Sequence, residues 1–114
     1  MRGVENLHRD LIDYLEQVID MTRDGREHFV DDRKTQMAVE RAYEVIGEIA
    51  KRLPLSFRNA HSEIDWQRLA RFRDFIAHNY ESVDVNFIWA AVEDAPRMKS
   101  AVSAALKKLA DSSE

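Results

Sequence analysis

Residues 65–80 have the sequence DWQRLARFRDFIAHNY, in which apolar side chains recur at intervals of three and four residues. This spacing places Trp66, Leu69, Phe72, Ile76 and Ala77 on one face of an α-helix. Asp65, directly in front of them, can cap the N-terminus of that helix. The pattern reaches His78 and breaks after Tyr80. The sequence therefore predicts a helix that ends at this point.

Two more amphipathic helices are predicted earlier in the chain. The first covers roughly residues 6–23 and stops near Gly25, and residues 26–30 form a short connection. The second begins after Asp31 or Asp32, either of which can serve as N-cap, and ends at Pro54. Gly47 inside it costs about 1 kcal/mol relative to alanine, so we expect another helix to approach closely there. Residues 54–64 are expected to be a loop with a short helical turn.

A fourth helix is predicted after Asp84, with an apolar face that continues as far as Leu109. Pro96 lacks a backbone N–H, so the helix should kink there or restart. With 114 residues, few glycines and prolines and no internal repeat, the chain has the size and composition of one helical domain. We therefore expect an all-α fold, an antiparallel helical bundle of four main helices over residues 1–114.

The composition also narrows the possible chemistry. The chain has no cysteine, which excludes disulfides, thiolate zinc sites and cysteine nucleophiles and fits a reducing, cytoplasmic location. It has no signal peptide pattern and no apolar run near 18 residues, so no membrane association is expected. No cofactor or metal is expected either. The wide apolar faces of the helices favour a homodimer.

Positive charge is concentrated in one part of the chain. The net charge is −4, yet residues 51–73 hold six basic and two acidic side chains. A phosphate-bearing partner such as RNA could bind this segment, although such a segment is often only a solvated face. The candidate RNA-binding residues are Lys51, Arg52, Arg58, Arg68 and Arg71.

Arg73, Asp74 and His78 are the candidate catalytic group. Asp74 and His78 are four residues apart and can touch on one helix face, where the carboxylate would raise the pKa of the imidazole. Arg73 supplies a charged donor fork for a phosphate. Together Arg73 and His78 could cleave a phosphodiester without a metal: His78 would move protons, and Arg73 would stabilise the transition-state charge. Positions five apart on a helix differ by about 140°, so the helix must end or a partner residue must come from elsewhere.

The residues from Arg73 to Tyr80 resemble the signature of the HEPN domain proteins, specifically the HepT-like toxins paired with minimal nucleotidyltransferase antitoxins. The signature is Arg, four residues, His, one residue, Tyr. The flanking segments 46–54, 64–66, 83–84 and 88–89 are also similar to the family's pattern, so the resemblance covers essentially the whole chain.

The resemblance implies a metal-independent endoribonuclease whose homodimer joins two motifs at a shared cleft. Arg73 and His78 would be the catalytic pair. Tyr80 would receive AMP from a cognate, MntA-like nucleotidyltransferase antitoxin, which silences the toxin. Many family members carry Asn where this chain has Asp74, which we interpret as a tuning residue.

Two other interpretations remain open from the sequence. The acidic net charge and Asp74 are compatible with a non-catalytic helical binding module that partners a nucleotidyltransferase. The motif could also occur by chance in a generic helical interaction domain.

Overall fold

In a computed structural model, which describes residues 3–79 and 84–112, the chain forms six helices joined by short connections. The four long helices correspond to the four predicted from the sequence, so the all-α fold is confirmed. The helices are α1 (Val4–Met21), α2 (Arg26–Asp31), α3 (Arg33–Arg52), α4 (Leu55–Ala60), α5 (Trp66–His78) and α6 (Val85–Ser112).

The predicted connection at residues 26–30 is instead the short helix α2. Gly25 precedes it with a φ of 92°, a conformation that L side chains rarely adopt. Phe29 fixes α2 to the core, because its side chain is fully buried. The amide of Gln36 in α3 donates to the carbonyl oxygens of Phe29 and Val30, both at 2.9 Å. These hydrogen bonds satisfy backbone acceptors that a helix end would otherwise leave free.

The predicted irregular segment at 54–64 contains the helix α4. Phe57 anchors it by an edge-to-face contact with the buried ring of His8, at a centroid distance of 4.5 Å. His8 Nδ1 donates to the Val4 carbonyl oxygen at 3.0 Å. Burial lowers the pKa of His8, so the neutral imidazole is the form that this packing favours.

Two of the predicted N-caps are present. Asp32 accepts a hydrogen bond from the Lys34 backbone N–H at 3.2 Å and begins α3. Asp65 accepts one from the Arg68 backbone N–H at 3.0 Å and begins α5. These two carboxylates therefore define where the two helices that build the candidate site start.

The long helices pack in the order α5, α3, α1 and α6, so that α1 and α3 are central. Tyr43 of α3 crosses the bundle and donates from its hydroxyl to the Ala91 carbonyl oxygen of α6 at 2.9 Å. The buried core draws on all four long helices, for example through Leu11, Ile46, Ile76 and Ile88. This order leaves a groove between α5 and α6.

Helix α6 runs through Pro96 as one element of 28 residues. Of the two outcomes expected at this proline, the restart does not occur. Buried residues on both sides of Pro96, including Val92, Met98 and Val102, continue one apolar face. Packing of this face against α1 holds the helix together where one backbone hydrogen bond is missing. Within the described ranges, no helix is both long and apolar enough to cross a membrane.

Candidate active site

Arg73 lies where α5 is in closest contact with α3. A β-carbon added to Gly47 would lie 2.1 Å from Arg73 Cβ and 2.7 Å from the Leu69 carbonyl oxygen. Both distances are far below van der Waals contact, so only glycine permits this spacing. The close helix approach predicted at Gly47 is thus confirmed, and the helix that approaches is the one that carries Arg73.

Two carboxylates surround the Arg73 guanidinium. Nη1 donates to Asp74 Oδ1 at 3.1 Å, and Nε lies 3.7 Å from Glu48 Oε2. Nε itself is buried and has no hydrogen-bond partner among the described residues. Within the same part of the chain, Nη2 makes no hydrogen bond, so it remains available to a bound anion.

Asp74 has different partners from those predicted. Its Oδ1 accepts hydrogen bonds from Lys51 Nζ at 2.7 Å and from Arg73 Nη1 at 3.1 Å. In the described residues it makes no hydrogen bond to His78, because two permanent cations compete for the same carboxylate. The Lys51 hydrogen bond first, and then Arg73, hold the pKa of Asp74 below its usual range. Asp74 is therefore ionised at neutral pH and acts on Arg73.

His78 is the last residue of α5, and its side chain is exposed. Asn79 caps the helix: its backbone N–H bonds to the Ile76 carbonyl oxygen at 3.3 Å, and its Nδ2 donates to the Phe75 carbonyl oxygen at 2.9 Å. The predicted helix end is confirmed. Tyr80, the predicted modification site, lies outside the described residues.

His78 and Arg73 occupy different sides of α5. They are rotated by about 140° from each other, whereas His78 is only about 20° from Arg71 and about 60° from Phe75. The imidazole therefore belongs to the side that faces the groove between α5 and α6. One copy of the chain presents the two predicted catalytic groups in different directions.

A cavity of about 340 Å³ lies in this α5–α6 groove, which is lined mainly by Phe72, Phe75, Phe87, Ala91 and Met98. Phe75 and Phe87 have 40% and 50% of their surfaces exposed, and their ring centroids are 5.1 Å apart. The sequence reasoning missed this surface. Phe75 lies outside the main apolar stripe of α5. An aromatic residue at such a position could have indicated an exposed apolar surface.

The five candidate RNA-binding residues do not form one surface. Arg68 and Arg71 line the α5–α6 groove. Lys51 is engaged with Asp74, whereas Arg52 lines a separate cavity of about 260 Å³ that also contains Arg73. Arg58 lies apart on α4. Only Arg68 and Arg71 therefore share the side of α5 that carries His78.

The described part of the chain has no group of three or more His, Cys, Asp or Glu side chains arranged to hold a metal ion. Besides carboxylates, the site offers a ligand the Arg73 guanidinium, the exposed His78 imidazole and the half-exposed rings of Phe75 and Phe87. These suit phosphate and nucleobase chemistry.

Similar proteins identify the family to which the chain belongs. Residues 11–105 match the family described as "Ribonuclease HepT-like". A protein of Thermococcus cleftensis named "Probable ribonuclease HepT" is 41% identical over 100 residues, which cover 86% of this chain and 91% of that protein.

Two further relatives have names that give RNase as a candidate activity. One, from Methanocaldococcus jannaschii, is 39% identical over 84 residues, or 73% of this chain and 69% of the relative. The other, from Caldanaerobacter subterraneus, is 36% identical over 83 residues, or 72% of this chain and 74% of the relative. No solved structure matches the chain. The extent of the family match and the identity to these relatives show that the chain belongs to the ribonuclease HepT-like family.

Proposed function

We propose that the chain is a metal-independent endoribonuclease, the toxin of a toxin–antitoxin pair, with Arg73 and His78 as its catalytic groups. Family membership supports the ribonuclease activity. The observation that carries the catalytic assignment is the position of Arg73, which is held by Asp74 and Gly47 while its Nη2 stays available. An exposed imidazole follows five residues later at the helix end.

In the proposed reaction, neutral His78 takes the proton of a ribose 2′-hydroxyl. The 2′-oxygen attacks the adjacent phosphorus, the bond to the 5′-oxygen breaks, and that oxygen leaves with the proton that His78 has taken. Arg73 stabilises the extra negative charge on the phosphorus oxygens through Nη2. The products are a 2′,3′-cyclic phosphate and a 5′-hydroxyl.

The Arg73 that acts with each His78 is supplied by a second copy of the chain. Phe75 and Phe87 form a half-exposed aromatic surface on the side of α5 that carries His78. Contact between two such surfaces buries them and brings two His78 side chains together. In the proposed dimer each His78 acts with the Arg73 of the other copy, because one chain directs its own two groups to different sides of α5. The homodimer thereby completes the site.

The proposed antitoxin is a small nucleotidyltransferase that transfers AMP to Tyr80, two residues after His78. An added nucleotide brings bulk and negative charge only two positions along the chain from His78, which is proposed to act on an RNA phosphate. Mass spectrometry of the chain coexpressed with such an enzyme tests this assignment. AMP mapped to Tyr80 is expected, and AMP on a different residue would refute the assignment.

The catalytic assignment is tested by RNA cleavage in EDTA, with analysis of the product ends. We expect 2′,3′-cyclic phosphate ends from the wild-type chain and at least a hundredfold lower rates, on the order of one group's catalytic contribution, in Arg73→Ala and His78→Ala. Arg23→Ala and His28→Ala are matched controls, because both side chains are at least 48% exposed and their ion pairs are with residues outside α5. Full cleavage by folded Arg73→Ala or His78→Ala protein would exclude the proposed mechanism.

The second candidate function is a non-catalytic module that binds a nucleotidyltransferase. The observation that favours it is the pair of carboxylates, Glu48 and Asp74, beside the cation that should receive an RNA phosphate. Stable complex formation with a nucleotidyltransferase, together with no RNA cleavage between pH 5 and 9, would support this function over the first.

A further inference from the structure

Helix α3 contacts the catalytic segment of α5 through three residues on one side. Gly47 meets Arg73 Cβ, Glu48 lies beside Arg73 Nε, and Lys51 binds Asp74. These residues occupy adjacent turns of α3, so the guanidinium rests on a surface that a different helix provides. The position of Arg73 therefore depends on α3 as well as on its own helix.

Gly47 sets the distance between the two helices. The shortest ordinary van der Waals separation is 3.4 Å, which exceeds the 2.1 Å available for a β-carbon at this position by 1.3 Å. The obstructing atoms are Arg73 Cβ and the Leu69 carbonyl oxygen, and neither can move by rotation of a side chain. Any larger residue at position 47 has to push α5, and Arg73 with it, away from α3.

Lys51 fixes the guanidinium end of the Arg73 side chain through Asp74. Its Nζ and Arg73 Nη1 bond to one and the same oxygen, Oδ1 of Asp74. With Lys51 in place, the carboxylate is anchored to α3 and holds the guanidinium through Nη1, while Nη2 makes no hydrogen bond among the described residues. Without Lys51, Asp74 is attached only to its own flexible neighbour, and the guanidinium can adopt other rotamers.

We propose that Gly47 and Lys51 are positioning residues for Arg73, one through the backbone of α5 and the other through Asp74. The inference rests on the proposed function, because it assigns Lys51 to the catalytic arginine and not to RNA. Displacement of a catalytic group by about 1 Å can lower a rate about a hundredfold, so the 1.3 Å mismatch is large enough to matter.

The first test replaces Gly47 with alanine. We expect Gly47→Ala to lower kcat about a hundredfold with KM changed less than about threefold, because ground-state RNA binding does not need the exact guanidinium position. Gly3→Ala is the matched control, since a β-carbon there meets nothing within 4 Å. Its kcat should stay within about twofold of wild type. An unchanged kcat in Gly47→Ala would overturn the assignment of Gly47.

A double-mutant cycle separates positioning from general damage to the fold. In an Arg73→Ala background the guanidinium is already absent, so Gly47→Ala should cause no further loss of the residual rate. The same hundredfold loss in both backgrounds would mean that Gly47→Ala damages the whole site, which would overturn the positioning role.

The second test uses Lys51→Met, which replaces a partly exposed side chain and leaves the helix contact intact. We expect about a tenfold lower kcat with little change in KM, and recovery in Lys51→Arg, which can still bind Asp74. A raised KM with unchanged kcat would identify Lys51 as an RNA contact and refute its positioning role.

The position of Arg73 is also measurable without any cleavage assay. In ¹⁵N-arginine NMR spectra of the full chain, the Arg73 Nε–Hε signal should shift in Gly47→Ala and Lys51→Met, while that of Arg97, which is paired with Asp94, stays in place. An unmoved Arg73 signal would overturn the proposal. Absence of cleavage by the wild-type chain would refute the proposed function alone, because the NMR result stands independently of it.

Discussion

The two sides of α5 differ in how closely other helices of the same chain cover them. Towards α3, the contact at Gly47 is so close that no β-carbon fits, and Arg73 is held by neighbouring side chains. Towards α6, an open groove carries half-exposed Phe75 and Phe87. One side is therefore covered within the single chain, whereas the other is open to a partner. Arg73, the proposed catalytic arginine, lies on the covered side, and His78 lies on the open side.

The largest expected effect tests whether the two sides act across copies. Arg73→Ala and His78→Ala should each be nearly inactive alone. Refolded together in equal amounts, they should recover about a quarter of wild-type activity, because half of the dimers are mixed and one of their two clefts is intact. RNA cleavage by the mixture measures this. No recovery would show that both groups come from one copy.

A smaller effect is expected when the open side is made polar. Phe87→Glu should convert the proposed dimer to a monomer and lower cleavage at least about tenfold, because a buried charge opposes the aromatic contact. Sedimentation velocity and a cleavage assay measure the two results. Leu55→Glu is the matched control, since Leu55 is 62% exposed on α4, away from the groove. A dimeric Phe87→Glu variant would place the interface elsewhere.

His8, near the start of α1, allows a prediction about stability that involves neither side of α5. The pKa of His8 is lowered mainly by burial, and the nearby His61 acts in the same direction. The unfolded chain therefore binds a proton that the folded chain resists. The stability that His8 contributes is complete above its unfolded pKa of about 6.5. It is lost as the pH falls through the lower folded pKa.

Urea unfolding at pH 7 and pH 5 measures this loss, which is at most about 1.4 kcal/mol for each pH unit in that window. His8→Phe should flatten the pH dependence that the wild-type chain shows below pH 6.5. A slope that survives His8→Phe would assign the titration to other groups.

The smallest effect is expected at Asp74. Asp74→Asn keeps an oxygen that can accept from Lys51 and Arg73 but removes the charge, so cleavage should change only about threefold and the melting temperature by less than about 2 °C. Because its pKa is lowered, the wild-type carboxylate stays ionised until the pH falls below its usual range. Activity between pH 5 and 8 should therefore show no titration of Asp74.

Much of this molecule was predictable from its local sequence patterns. Asp32, Asp65 and Pro54 mark helix boundaries by capping and backbone chemistry that act over a few residues. The close helix contact at Gly47 was predictable as well, because a glycine inside a helix weakens it and is typically found where another helix packs closely. The spacing of Arg73 and His78 can likewise be read from a short stretch of sequence.

What could not be predicted depends on distant residues. Asp74 bonds to Lys51, which lies 23 positions earlier, and no local spacing announces that contact. Helix α2 is too short to show a helical period, so its existence rests on the burial of Phe29. The exposure of Phe75 follows from the packing order of the helices, which leaves α5 and α6 apart.

That packing order also affects the order in which the proposed site is made during synthesis. Helix α6 packs against α1, and it brings Phe87 to the α5–α6 groove. Because a ribosome delivers the chain from its N-terminus, α5 and its arginine emerge before the α6 part of the proposed dimer surface. A nascent chain that stops short of α6 carries Arg73 and His78 but lacks Phe87. If the chain is the proposed dimeric ribonuclease, its last long helix delays RNA cleavage until α6 has been made.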